Sequence, residues 1–140
     1  MKDVTLGDLR LTDDGLCFGC GPRNPIGLKL TFTWEGDICV THWTPLPEHQ
    51  GWADRVHGGL LALVLDEVLS RAALERYGLH WVTASLTTRL KRPAPVGCPL
   101  RAQAQIVAVR PRLIVCEGDI QTESDGVVIA TGQAKLMRAP

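Results

Sequence analysis

The chain has 140 residues, 45% hydrophobic and 21% charged, and its 15 Lys+Arg balance 15 Asp+Glu so that the formal net charge is zero. That length suits a single domain, residues 1–140, able to bury a core without disulfide or metal support. Zero net charge argues against a global attraction to nucleic acid or an anionic membrane, and no apolar run approaches the ~18 residues of a membrane span.

Met1-Lys2-Asp3-Val4-Thr5 lacks the charged and apolar regions of a signal peptide. The five cysteines are odd in number and scattered, unlike a secreted disulfide framework. A cytoplasmic location is the expectation.

Residues 1–27 read as an irregular lead-in, because Gly19, Gly21, Pro22, Pro25 and Gly27 force turns. Leu28 to Trp34 alternates apolar and polar residues as a strand does. Glu35-Gly36-Asp37 is a turn, and Ile38 to Thr44 completes a hairpin. Pro45 to Val56 is a loop. From Leu60 to about Tyr77, the residues Leu60, Leu61, Val64, Leu65, Val68, Leu69 and Ala72 follow helical spacing, and Gly78 stands where a helix stops. Four further strands follow over Val82–Lys91, Leu100–Val109, Leu113–Thr122 and Val127–Met137, read as a meander with Arg110-Pro111-Arg112 and Glu123–Gly126 as hairpin tips. The helix is apolar nearly all round, so one face of contact cannot satisfy it. A curved antiparallel sheet wrapped around it can, and the segregation of strands from one helix makes the fold class α+β.

Three features of the helix bear on chemistry. His57-Gly58-Gly59 opens it, presenting bare backbone N–H groups where the helix dipole is positive, a setting for a developing oxyanion. Gly58 and Gly59 could equally serve close packing against a strand, and the His57 ring could bond a nearby backbone group. Asp66 lies in an apolar run with no neutralising neighbour at three or four residues' spacing, so a raised pKa and proton transfer are expected of it. A hydrogen bond to Ser70 or a loop amide is the plainer alternative. Glu67 points about 100° away from Asp66 and has Arg71 four residues on, an expected helical ion pair. Cys17-x-x-Cys20 lacks the further ligands of a zinc site, so it is read as a buried structural turn with no metal. Cys39, Cys98 and Cys116 read as small core residues.

The run Gly51…Val56-His57-Gly58-Gly59…Leu65-Asp66-Glu67 resembles the central helix of hot-dog-fold thioesterases, in the branch related to phenylacetate-pathway and 4-hydroxybenzoyl-CoA thioesterases. Thr83-Ala84-Ser85-Leu86 with Lys91-Arg92-Pro93-Ala94-Pro95-Val96-Gly97 is similar to the strand after that helix. Cys17-Phe18-Gly19-Cys20-Gly21 through Asn24-Pro25-Ile26-Gly27-Leu28 is similar to a recurrent start in the group. The resemblance implies a hot-dog fold and acyl-CoA hydrolysis without a cofactor. In that reading the Gly58 N–H, with Gly59, polarises the thioester carbonyl, and Asp66 acts as general base on water or as nucleophile. Thr83 holds the water or the carboxylate, and His57 lines the pocket. Relatives carry Asn or Gln six residues before the histidine, where this chain has Gly51, so Gln50 fills that role only if the loop is one residue longer. Arg89, Lys91 and Arg92, with Arg110 and Arg112, are candidates for the phosphates of coenzyme A or ordinary surface charge.

Seven residues from Gly59 to Asp66 span about 10 Å of helix rise, too far for both to serve one carbonyl within one chain. A homodimer, alone or as half of a tetramer, faces each helix start with the partner's acid, and pairing of the Val82–Lys91 strands across its axis would cover a bare edge. A hot-dog hydratase or dehydratase and a non-catalytic acyl-CoA-binding module are the alternative functions. Neither a nucleic-acid nor a membrane partner is expected.

Overall fold

The structure, a computed structural model, describes residues 12–78 and 80–139. The first eleven residues of the lead-in lie outside the described residues. The elements run β1 (Thr33–Glu35), β2 (Ile38–Trp43), α1 (Gly58–Tyr77), β3 (Trp81–Leu90), β4 (Leu100–Arg110), β5 (Leu113–Thr122) and β6 (Val128–Arg138). The six strands form one antiparallel sheet in the order β1-β2-β4-β5-β6-β3. The sheet curves around α1 in the hot-dog arrangement.

Helix α1 begins at His57, whose side chain accepts from the Gly59 N–H, and ends at Gly78, whose φ of 89° lets its N–H turn back to the Leu74 carbonyl. It lays Leu61, Val64, Leu65, Val68, Leu69, Ala72 and Ala73 against the concave face of the sheet. There they meet Ala102, Ala104, Ile114, Cys116, Ile120, Ala130, Ala134 and Leu136. Each such leucine taken from water is worth roughly 2–3 kcal/mol. Small sheet residues let the helix sit close: a Cβ at Gly132 would come within 3.3 Å of Leu65.

The curved sheet around one long helix stands as expected: one face of α1 is buried, while Leu60, Ala62, Leu63, Asp66, Glu67, Ser70 and Leu74 are half-buried. Three other expectations need correcting. The strand expected over Leu28 to Trp34 shrinks to Thr33–Glu35. The Leu28 and Leu30 N–H groups donate instead to the carbonyls of Phe18 and Gly19, and Lys29 between them takes a φ of 52°. The four later strands are not a simple meander, since β3 pairs with β6 at the far edge while β4 joins β2. Finally, the Glu67–Arg71 ion pair does not form: Arg71 reaches Glu75 at 3.6 Å and Cys20 Sγ at 3.3 Å, and lies over the Phe32 ring.

The two edges of the sheet differ. β1 is a three-residue strand, clamped where Arg101 donates twice to the Glu35 carboxylate at 3.1 and 2.7 Å. β3 is ten residues long and mostly exposed. A bulge at Ala84 shifts its register, so that Thr83, Leu86 and Leu90 lie opposite Leu136, Ala134 and Ala130. Opposite residues share a face, and these three partners are fully buried. Thr83, Leu86 and Leu90 therefore all face the helix side, although they sit on both sides of the bulge.

Candidate active site

The loop ahead of α1 is pinned where a helix start needs fixing. The His57 N–H donates to the His49 carbonyl at 2.9 Å and the Val56 N–H to the Ala94 carbonyl at 2.9 Å. Isolated bridges join Gln50 to Val56 and Arg55 to Pro95. The Gln50 side-chain oxygen accepts from the Asp54 N–H at 3.2 Å and so supports Asp54 in its left-handed turn, φ 59°. Gln50 lies on the rim of a depression of about 360 Å³ shared with His49, His57, Gly59 and Leu60. On the other side of His57, a second depression of about 410 Å³ is walled by Gly51, Trp52, Val56 and Gly58, with Trp52 88% exposed.

At the helix start the two glycines part company. The Gly59 N–H is taken by His57 Nδ1 at 2.9 Å, which leaves the proton of the neutral ring on Nε2. The Gly58 N–H belongs to the first turn, where no intrahelical acceptor exists, and no hydrogen bond among the described residues takes it up. A Cβ at position 58 would come within 2.8 Å of Leu90 Cδ1, so the end of β3 packs against this glycine. Of the two expected amide donors, Gly58 is the one left to point at a ligand.

Two turns along, Asp66 is half-buried rather than sunk in the core. It is also not unpartnered, for the Thr83 hydroxyl donates to Asp66 Oδ1 at 2.8 Å. Ser70, the alternative partner, donates instead to the Glu67 carbonyl at 3.2 Å. One carboxylate oxygen is thus oriented by β3, while no hydrogen bond among the described residues engages the other. Thr83 and Leu90 belong to one strand, so β3 carries the Asp66 end and the Gly58 end of the site on one edge.

Arg89, Lys91 and Arg92 are exposed at the C-terminal end of β3. The backbone N–H groups of Lys91 and Arg92 both donate to the Ile129 carbonyl, and no carboxylate among the described residues pairs with the three side chains. Arg112 stands with Arg138 at the opposite end of the sheet, beside the start of β3. A separate groove of about 460 Å³, lined by Thr87, Arg89, Gln103, Glu117, Asp119 and Gln133, opens on the sheet's convex face, away from Asp66.

The cysteines divide in two. Cys39 and Cys116 are fully buried in the core, and burial raises their thiols to about 11 and about 12. Cys98 is half-buried beside the core. Cys17 is exposed and Cys20 half-buried, so this turn is not the buried one expected. Burial first, and the Glu67 charge second, push the Cys20 thiol up to about 12. The sequence gives no spacing signal for Glu67 at this turn, because the partners lie 50 residues apart.

Comparison with known proteins agrees with this architecture. No curated protein matches the chain. Among solved structures, a thioesterase superfamily protein is 32% identical with a TM-score of 0.77, covering 85% of this chain, which in turn spans 61% of that protein. A thioesterase superfamily protein from Shewanella loihica is 28% identical, with a TM-score of 0.69 and coverage of 79% of this chain and 91% of its own. The PaaI protein from the E. coli phenylacetic acid degradation operon shares the fold at 22% identity and a TM-score of 0.74, covering 81% of each chain. The family model described as the thioesterase superfamily matches residues 54–129, more than half of the sequence and the whole stretch from His57 through β3, so the chain belongs to the thioesterase superfamily.

Proposed function

We propose that the protein hydrolyses acyl-CoA thioesters as a two-fold dimer, each site joining Asp66 of one chain to the Gly58 amide of the other. The observation that carries this reading is the exposed β3 edge, with Thr83 on Asp66 and Leu90 over Gly58. Within one helix the two positions are about 12 Å apart in rise. Pairing two copies of β3 antiparallel about an axis between Leu86 and Thr87 sets Thr83 opposite the partner's Leu90. Each Asp66 then comes to the partner's Gly58.

The chemistry follows from those two groups. Asp66, one oxygen held by Thr83, takes a proton from water as the water oxygen attacks the thioester carbon, a step for which a positioned base supplies roughly 10²–10⁴-fold. Negative charge gathers on the carbonyl oxygen and is met by the partner's Gly58 N–H and the positive helix end, where one such donor is worth about 10²–10³-fold. Collapse breaks the C–S bond, and the leaving thiolate recovers the proton from Asp66, giving acid and free thiol. The same two-fold would bring Arg89, Lys91 and Arg92 of one chain toward the partner's Arg112 and Arg138, a basic surround for the CoA phosphates. Trp52 and His57 border the acyl or pantetheine path.

Complementation tests the shared site. Asp66→Asn and Gly58→Pro should each abolish thiol release from acyl-CoA. Proline fits the first helical position after the extended His57 (ψ 129°) and removes the amide proton, while its Cβ, 2.8 Å from Leu90 Cδ1, requires that half-exposed side chain to turn aside. Co-expressed, the two variants form mixed dimers with one intact site of two, restoring about a quarter of wild-type activity in a statistical mixture. Mixed dimers without activity would sink the reading.

A further inference from the structure

The turn ahead of β1 gathers donors that the hydrolytic site does not use. Cys17 Sγ lies 3.4 Å from Glu67 Oε1, and donor atoms of Cys17, Cys20 and Glu67 all fall within 4.8 Å of one another. We propose that Cys17, Cys20 and Glu67 bind a zinc-class divalent cation, with a fourth position left to water.

Geometry supports the assignment. Zinc bonds of 2.3 Å to sulfur and 2.0–2.2 Å to oxygen in a tetrahedron require S···O of about 3.6 Å and S···S of about 3.8 Å. The observed 3.4 Å matches the first, and the 4.8 Å limit leaves only a small contraction for the second. The turn is also shaped to hold the carboxylate. A Cβ at Gly19 would lie 2.3 Å from Glu67 Cδ, and one at Gly21 would lie 2.4 Å from the Cys17 backbone nitrogen. The Gly21 N–H closes the turn on the Cys17 carbonyl at 2.8 Å, and Leu28 and Leu30 hold it from the far side at 2.9 Å each.

Charge points the same way. Glu67 faces two thiols, which are weak donors, while the guanidinium four residues on turns to Cys20 Sγ at 3.3 Å instead. On binding, the two thiols release their protons. Two thiolates and one carboxylate then meet a dication and leave one negative charge, which Arg71 neutralises from the second coordination layer. Two sulfur donors in three select a thiophilic metal over Mg²⁺ or Ca²⁺. Bound there, the ion would clasp the turn to α1 one residue from Asp66.

The test is titration of the full chain, kept reduced, with Co²⁺ and then Zn²⁺. A thiolate-to-cobalt absorption saturating at one equivalent per chain and displaced by Zn²⁺ is expected. Cys20→Ser and Glu67→Gln should abolish it, Arg71→Met should weaken binding about 10–100-fold, and Cys98→Ser, outside the cluster, should leave it unchanged. No thiolate band in the folded wild type, or a band that survives Glu67→Gln, overturns the site. Because the readout is metal and not turnover, this outcome is separate from that of the hydrolytic reading.

Discussion

The two edges of the sheet meet water on different terms. β1 is three residues long and ends in Glu35, which two Arg101 hydrogen bonds fasten across the sheet. β3 offers ten residues with no charge before Arg89, and its Val82, Leu86 and Leu90 are 36%, 36% and 52% exposed. Short charged edges resist further pairing, whereas long apolar ones invite it. One edge is short and clamped, and the other is long and open. Thr83, bonded to Asp66, and Leu90, packed against Gly58, both stand on the open edge.

Breaking that contrast should have the largest effect at Leu86. Leu86→Lys puts an ammonium in the middle of β3, on the helix side, where a partner strand would bury it. Monomers are expected by light scattering, with thiol release falling by at least the ~10²-fold worth of one oxyanion donor. A dimeric, active Leu86→Lys protein would refute a role for this edge. Thr83→Val keeps the edge apolar and the dimer intact but removes the donor to Asp66. A hydrogen bond to a charged group is worth about 1.5 kcal/mol, so kcat should drop roughly tenfold, with Thr83→Ser restoring it and KM little changed. The smallest effect belongs to the closed edge. The Arg101 hydrogen bonds hold the Glu35 carboxyl below its ordinary value of 4.5. A depressed carboxyl stabilises the fold above its unfolded value and loses that contribution as pH falls through its folded value. Melting curves of wild type and Glu35→Gln should therefore differ slightly at neutral pH and converge in acid, with dimerisation and turnover unaffected.

Helical spacing made α1 readable almost to the residue, and Gly78 marked its end because few other residues accept a φ of 89°. The hairpin tips were readable for similar local reasons. The sheet order was not, because which strand neighbours β3 depends on how the chain crosses from Leu90 to Leu100, not on any period within the strands. Leu28 to Phe32 alternate as a strand would, yet their backbone is spent on the Cys17–Gly21 turn. The bulge at Ala84 left no trace in the pattern, though it decides that Thr83 and Leu86 share a face.

What the sequence by itself determined is whatever rests on contacts between near neighbours: the helix and its bare glycine start, the extents of β2 through β6 to within a residue or so, and a carboxylate among apolar residues. Tertiary structure alone decided the partners. It assigned Asp66 to Thr83, set the Gly58 amide apart from the Gly59 one, and brought Glu67 to Cys17 instead of leaving it to Arg71. The reason is physical. Local propensity acts over a turn or two, whereas a hydrogen bond between groups many residues apart exists only once burial of the core has closed the loop between them.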